Sequence, residues 1–119
     1  MDLNALLDQI RGHLNYAKVG MILFHQGVVR ATARDGRPVS GLRVSVDYDR
    51  LEQLIAEQKE LEGIVEILVQ INADRDLKVG DDVMALVVAG DIRENVTAVL
   101  SDTLNAIKTK VTRKQEQYT

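Results

Sequence analysis

The side chains of this chain that could do chemistry are cations. It contains no cysteine, which removes a thiol nucleophile, thiolate metal sites and disulfides. His13 and His25 are too far apart for metal-ligand spacing, and both read as structural residues. Ser40, Ser45 and Ser101 lack the strand-turn-helix context of an activated serine. No phosphate-loop pattern is present, and the carboxylates are spread over predicted helix surfaces and turns. That leaves Arg30 at the end of the first predicted strand, Arg93 at the start of the last helix, and a basic run at its end, Lys108, Lys110, Arg113 and Lys114. Cations at a helix C-terminus complement its dipole and usually do no more than solvate it. A cation at the N-terminus opposes the dipole, so Arg93 is unusual. At about 100° per residue it falls at the same angle as Val111, inside the predicted core stripe, where it needs an anion, a carbonyl or a cleft. Pairing with Asp91 or Asp74 is the plainer alternative. Arg93 and Lys108 are fifteen positions apart, so one helix separates them by roughly 22 Å. They can share a small ligand only if a second copy of the chain brings one of them in.

The elements that must position these residues follow from periodicity. Leu3, Leu6, Leu7, Ile10 and Leu14 predict an amphipathic helix over 2–14. Gly20 to Arg30 reads as a buried strand kinked at Gly27, and Ala33 to Gly41, with Asp35-Gly36 and Pro38, as an exposed hairpin loop. Leu42, Val44 and Val46 alternate with polar residues as in a half-buried strand. Asp49 and Glu52 predict a capping box opening a helix over 50–62, and Asp91 and Glu94 a second one opening the last helix. Ile64–Ile71 and the nearly all-apolar Val83–Ala89 read as strands, the latter central, with 74–82 a polar turn between them. The last helix is expected to run to about Thr112 on a stripe of Val96, Val99, Leu100, Leu104, Ile107 and Val111. Residues 113–119 are expected to form a polar, mobile tail. Strands in pairs with helices between them predict an α+β fold, a mixed or antiparallel sheet with packed helices.

Composition narrows the function classes. A chain of 119 residues suits one domain spanning 1–119. With 3% aromatics and no Trp, it has no stacking platform for single-stranded nucleic acid. The net charge of -3 also argues against a nucleic-acid partner. No apolar run approaches the roughly 20 residues that span a membrane, and the first fifteen residues show no signal-peptide core, so a cytoplasmic location is expected. No metal and no cofactor is expected.

From Gly20 onward the chain resembles the molybdopterin synthase large (catalytic) subunit family, as a divergent MoaE-like member. Three segments carry the resemblance: Gly20-Met-Ile-Leu-Phe-His-Gln-Gly-Val-Val-Arg30, Lys78-Val-Gly-Asp-Asp-Val-Met-Ala-Leu-Val-Val-Ala-Gly-Asp-Ile-Arg93, and the helix ending Ile107-Lys108-Thr109-Lys110. No single piece is a specific motif; order and spacing over about 95 residues carry the case. The resemblance implies an α/β hammerhead-like fold, a homodimer, and a ubiquitin-like small subunit whose C-terminal Gly-Gly ends in a thiocarboxylate. It implies sulfur transfer to cyclic pyranopterin monophosphate in molybdenum cofactor biosynthesis. On matching positions it makes Arg30 and Arg93 substrate- or anion-binding residues, Arg93 acting from the opposite subunit, and Lys108 catalytic. Ile92 stands where the family has His before the arginine. The family's second catalytic lysine falls on Gln115 without a gap, and on Lys114 with a gap of one residue. From the residues alone, Lys114 solvates a frayed helix end.

Three functions are compatible with this reading. The first is a molybdopterin-synthase-type sulfurtransferase, with Lys108 essential and Lys114 its helper. The second is a non-catalytic dimeric binding protein on the same scaffold, with a degenerate active site. The third is a dimeric interaction module without a ligand. Arg30, Arg93 and Lys108 favour the first two; Ile92 and Gln115 favour the last two.

Overall fold

The computed structural model describes residues 1–119. Three α-helices and two three-stranded antiparallel sheets make up the fold, which is α+β as expected. Helix α1 (Leu3–Arg11) begins where the Asp2 carboxylate accepts from the Ala5 amide, and it ends at Gly12. It buries Leu6 and Ile10. The expected extension to residue 14 does not form: the Gly12 amide closes the helix on the carbonyls of Asp8 and Ile10, and Leu14 is 95% exposed.

The first sheet has the order β1-β5-β3, from β1 (Met21–Val28), β3 (Ile64–Ile71) and β5 (Asp82–Gly90). β5 is central, and Ala85 to Ala89 are fully buried. A strand covered on both faces needs apolar residues at every position, which is why this segment does not alternate. Ala85, Val87 and Ala89 meet Leu6 and Ile10 of α1. Met84, Leu86 and Val88 meet Ile67 and the apolar stripe of the last helix. β1 is irregular between Gly27 and Val28, as the glycine suggests.

Helix α2 is Tyr48–Lys59, two residues ahead of the expected start. Its N-cap is Asp47, whose carboxylate accepts from the Arg50 amide, so Asp49 and Glu52 form no capping box. Helix α3 is Arg93–Ala106. Its cap position is Ile92; Asp91 sits one residue earlier, accepting from the Ile92 amide and the Asn95 side chain, while Glu94 pairs with Arg93. The only buried polar side chain, Thr103 of α3, accepts from Gln58 of α2 at 3.0 Å and ties the two helices together.

After Ala106 the helix widens into a π-helical segment, Ile107–Val111. Three of its carbonyls find donors. Thr112 Oγ1 donates to Ile107 O, Arg50 donates to Lys110 O, and the Asp47 amide donates to Val111 O. Bonds spanning five residues take more residues per turn than an α-helix. Ile107 and Val111 are both buried, and the strict α-helical alignment of Val111 with Arg93 does not carry through the segment.

Residues 113–119 are not a mobile tail. Thr112–Tyr118 is strand β6, paired antiparallel to β2 (Val39–Val46), which also pairs with the two-residue β4 (Leu77–Lys78). The composition is polar because β6 is an edge strand, yet it fills hydrogen bonds that β2 would otherwise leave open. The turn expected over 74–82 thus contributes β4, whose Leu77 is buried. With this second sheet the molecule measures 48 × 26 × 24 Å.

Candidate functional site

Where the two sheets meet, a cleft opens that collects the basic residues. One lobe, of about 280 Å³, is lined by the end of β1 and its following loop, including Arg30, Thr32 and Arg34, together with Lys108, Lys114 and Glu116. A second lobe, of about 340 Å³, is walled by Val44 of β2, Ile71 of β3 and Val83 and Met84 of β5, with Thr112. Arg34, Lys108 and Lys114 line both lobes, so the two form one continuous site with cations at the junction. Four cationic side chains face one carboxylate in the first lobe, in a chain that is acidic overall. Such a site suits an anion.

Each cation is placed by a different element. Lys108 is held on the π-helical segment between Ile107, which is fully buried, and Thr109, whose hydroxyl donates to Asn105 O. Lys114 comes from β6. Its cross-strand partner is Val44, and Leu42 pairs with Glu116. Alternation puts Lys114 and Glu116 on the cleft side with these buried valine and leucine residues. Gln115, opposite Arg43, is turned to the outer face. Arg30 follows β1, and its Nε donates to the Thr32 carbonyl at 2.9 Å. Arg34 lies at the tip of the hairpin loop.

Arg93 is elsewhere. It opens α3, its side chain is 80% exposed, and its partner is Glu94 at 3.5 Å. The expectation that it lies in the core stripe is overturned: the buried residues of α3 are Val96, Val99 and Thr103, a face centred about 90° round the helix from Arg93. Within one chain the cleft therefore gathers Arg30, Lys108 and Lys114 but not Arg93.

Sequence reasoning missed two residues. Arg34 was absorbed into an exposed loop, and nothing in its spacing marks it. His25 lies two positions along β1 from Leu23, on the side that packs toward α3. Burial and then the nearby Lys108 charge hold its pKa below the ordinary 6.5. A neutral imidazole next to a lysine leaves that lysine as the local charge.

No helix is long and apolar enough to cross a membrane. Comparison with known proteins extends the geometry. A family model described as MoaE protein matches residues 1–110, taking in α1, which lay outside the resemblance seen in the sequence. No curated protein matches significantly. Among solved structures, molybdopterin cofactor biosynthesis protein E from Burkholderia multivorans superposes with a TM-score of 0.78 at 22% identity, covering 100% of this chain and 82% of its own. The molybdopterin synthase structure from Staphylococcus aureus gives 0.72 at 18% identity, with 86% and 77% covered. A chain in the complex of subunits 1 and 2 of molybdopterin-converting factor from Helicobacter pylori gives 0.71 at 19%, with 99% and 84% covered. At these identities the likeness is one of fold.

Proposed function

The chain belongs to the MoaE family of molybdenum cofactor biosynthesis, and from that premise we propose that it is a molybdopterin synthase large subunit. It brings the thiocarboxylate at the Gly-Gly end of a ubiquitin-like small subunit to cyclic pyranopterin monophosphate, so that the sulfur bonds to the pterin side chain and water cleaves the acyl–sulfur bond, leaving a carboxylate on the small subunit. The observation that carries this reading is the shared cleft of Lys108, Lys114 and Arg30. Water adding to the acyl carbon builds an oxyanion on its oxygen, which collapses to a carboxylate as the sulfur departs, and a compact ammonium at that point stabilises the oxyanion. Lys108 takes this role, with Lys114 its helper. Arg30, braced by the Thr32 carbonyl, presents a fork suited to phosphate. Arg93 serves the site of the opposite subunit in a homodimer, because roughly 22 Å of helix separates it from Lys108 of its own chain.

A reconstituted assay tests the reading. Thiocarboxylated small subunit and pterin precursor are supplied to the purified protein, and dithiolene formation is followed. Turnover, together with rescue of a strain lacking its large subunit, is the expected result. No turnover with a competent small subunit overturns it and favours the second reading, a binding protein on the same scaffold. Ile92, exposed at the family's histidine position, favours that second reading.

A further inference from the structure

The loop between β1 and β2 carries three arginines, and the structure gives each a different situation. Arg30 is braced on the Thr32 carbonyl at 2.9 Å. Arg37 is committed to structure: its Nε meets the Asp35 carboxylate at 2.8 Å, Nη2 donates to the Tyr118 hydroxyl, and its guanidinium lies 4.0 Å from the Tyr118 ring centre. Through Tyr118 the loop is fastened to the end of β6, the strand that carries Lys114. Further backbone bonds tighten it, between the Ala33 amide and Arg37 O and between the Val39 amide and Ala31 O. Arg34 makes no hydrogen bond and no ion pair, although Asp35 is its neighbour. It lines both lobes of the cleft beside Lys108 and Lys114.

A guanidinium on a fastened loop, free of internal partners and facing two lysines across a cavity, is arranged for an external anion. We propose that Arg34 is a substrate-positioning residue that clamps the phosphate group of the bound ligand at the junction of the two lobes. The assignment rests on the reading of the cleft as the pterin-phosphate site and adds a residue to it. A phosphate suits this place better than a peptide carboxylate. One guanidinium fork and two ammonium groups line the junction, with Arg30 in the adjoining lobe, enough to engage several oxygens of one tetrahedral group. The apolar wall of Val44, Ile71, Val83 and Met84 then remains for the uncharged part of the ligand.

The test uses the full chain and two probes, inorganic phosphate and cyclic pyranopterin monophosphate, titrated by calorimetry into wild type, Arg34→Gln, Arg34→Lys and Arg75→Gln. Arg75 is an exposed cation lining neither lobe, and its loss reproduces the change in net charge. Arg34→Gln is expected to weaken both probes roughly tenfold, the usual consequence of losing a charge-assisted hydrogen bond. Arg34→Lys should recover only part, since a lysine lacks the fork, and Arg75→Gln should bind as wild type. In turnover, Arg34→Gln should raise KM for the pterin with kcat nearly retained. If Arg34→Gln binds the pterin as wild type does, the assignment of Arg34 is overturned while the sulfur-transfer reading stands. If phosphate binding depends on Arg34 but the pterin is not bound, the clamp stands and the sulfur-transfer reading falls. A parallel titration with a Gly-Gly peptide that proves more sensitive to Arg34 than either phosphate probe would reassign the residue to the protein tail and overturn the proposal.

Discussion

Lys114 is the cross-strand partner of Val44 and lines the same lobe as Lys108, although six positions separate the two lysines. A continuous α-helix would carry Lys114 about 120° round and roughly 9 Å onward. The chain instead leaves the helix at Val111 and returns as a strand, which folds Lys114 back over the cleft. The choice between Lys114 and Gln115 is thereby reduced to the parity of one strand.

That parity gives the first prediction. Lys108→Ala should lower turnover by about 10²- to 10³-fold, as loss of one oxyanion donor does elsewhere. Lys114→Ala should be impaired to a smaller degree, and Gln115→Ala should match wild type. Steady-state assay with thiocarboxylated small subunit checks all three; a Gln115→Ala defect larger than that of Lys114→Ala would reverse the assignment.

The second prediction concerns assembly. Sedimentation at tens of micromolar should show a homodimer, since obligate dimers persist at such concentrations. Arg93→Ala and Lys108→Ala should each be impaired alone. Mixed and re-equilibrated, they should regain activity, because one of the two sites in a hybrid dimer is then intact. Failure of the mixture to regain any activity would show that both residues serve the same chain's site.

His25 supplies a pH prediction. Its pKa is held below 6.5 in the folded chain by burial and by Lys108. Above 6.5 the imidazole is neutral in both states and contributes nothing. As pH falls below that value the unfolded chain takes the proton first, so stability declines until the folded pKa is also passed, and the loss is then constant. His25→Gln should flatten this part of the stability curve in urea titrations. Lys108→Ala should move the His25 titration upward when followed by NMR; a downward or absent movement would remove Lys108 as a cause.

Packing beneath the site should matter as much as the charges on it. Ile107 is fully buried at the start of the π-helical segment. Ile107→Ala should cost about 2–5 kcal/mol by cavity formation and should impair turnover through the displaced Lys108. Denaturant unfolding measures the first effect. A variant of unchanged stability would mean that the segment is held by its capping bonds alone.

Much of the framework is legible in the sequence because it depends on local pattern. The alternation Leu42, Val44, Val46 marks β2, Ile64–Ile71 matches β3 at both ends, and the unbroken apolar run of β5 marks a central strand. Those signals report which faces lose contact with water, and burial is periodic along a single element. The cations Arg30 and Lys108 were also visible, through type and position. What the sequence could not decide was the path of the last twelve residues. Thr112–Tyr118 has no apolar alternation to betray a strand, because its conformation is set by backbone groups on β2 that lie some seventy residues away in the chain. The π-helical segment that follows Ala106 is likewise not marked in the sequence, since Ile107 and Val111 would share a buried face in an α-helix as well. Both determine the site. The π-helical segment carries Lys108, and the strand brings Lys114 back to it. Arg34 joined them only when a loop fastened by Arg37 to Tyr118 was laid across the same cleft, a contact between residues 81 positions apart that no local pattern encodes.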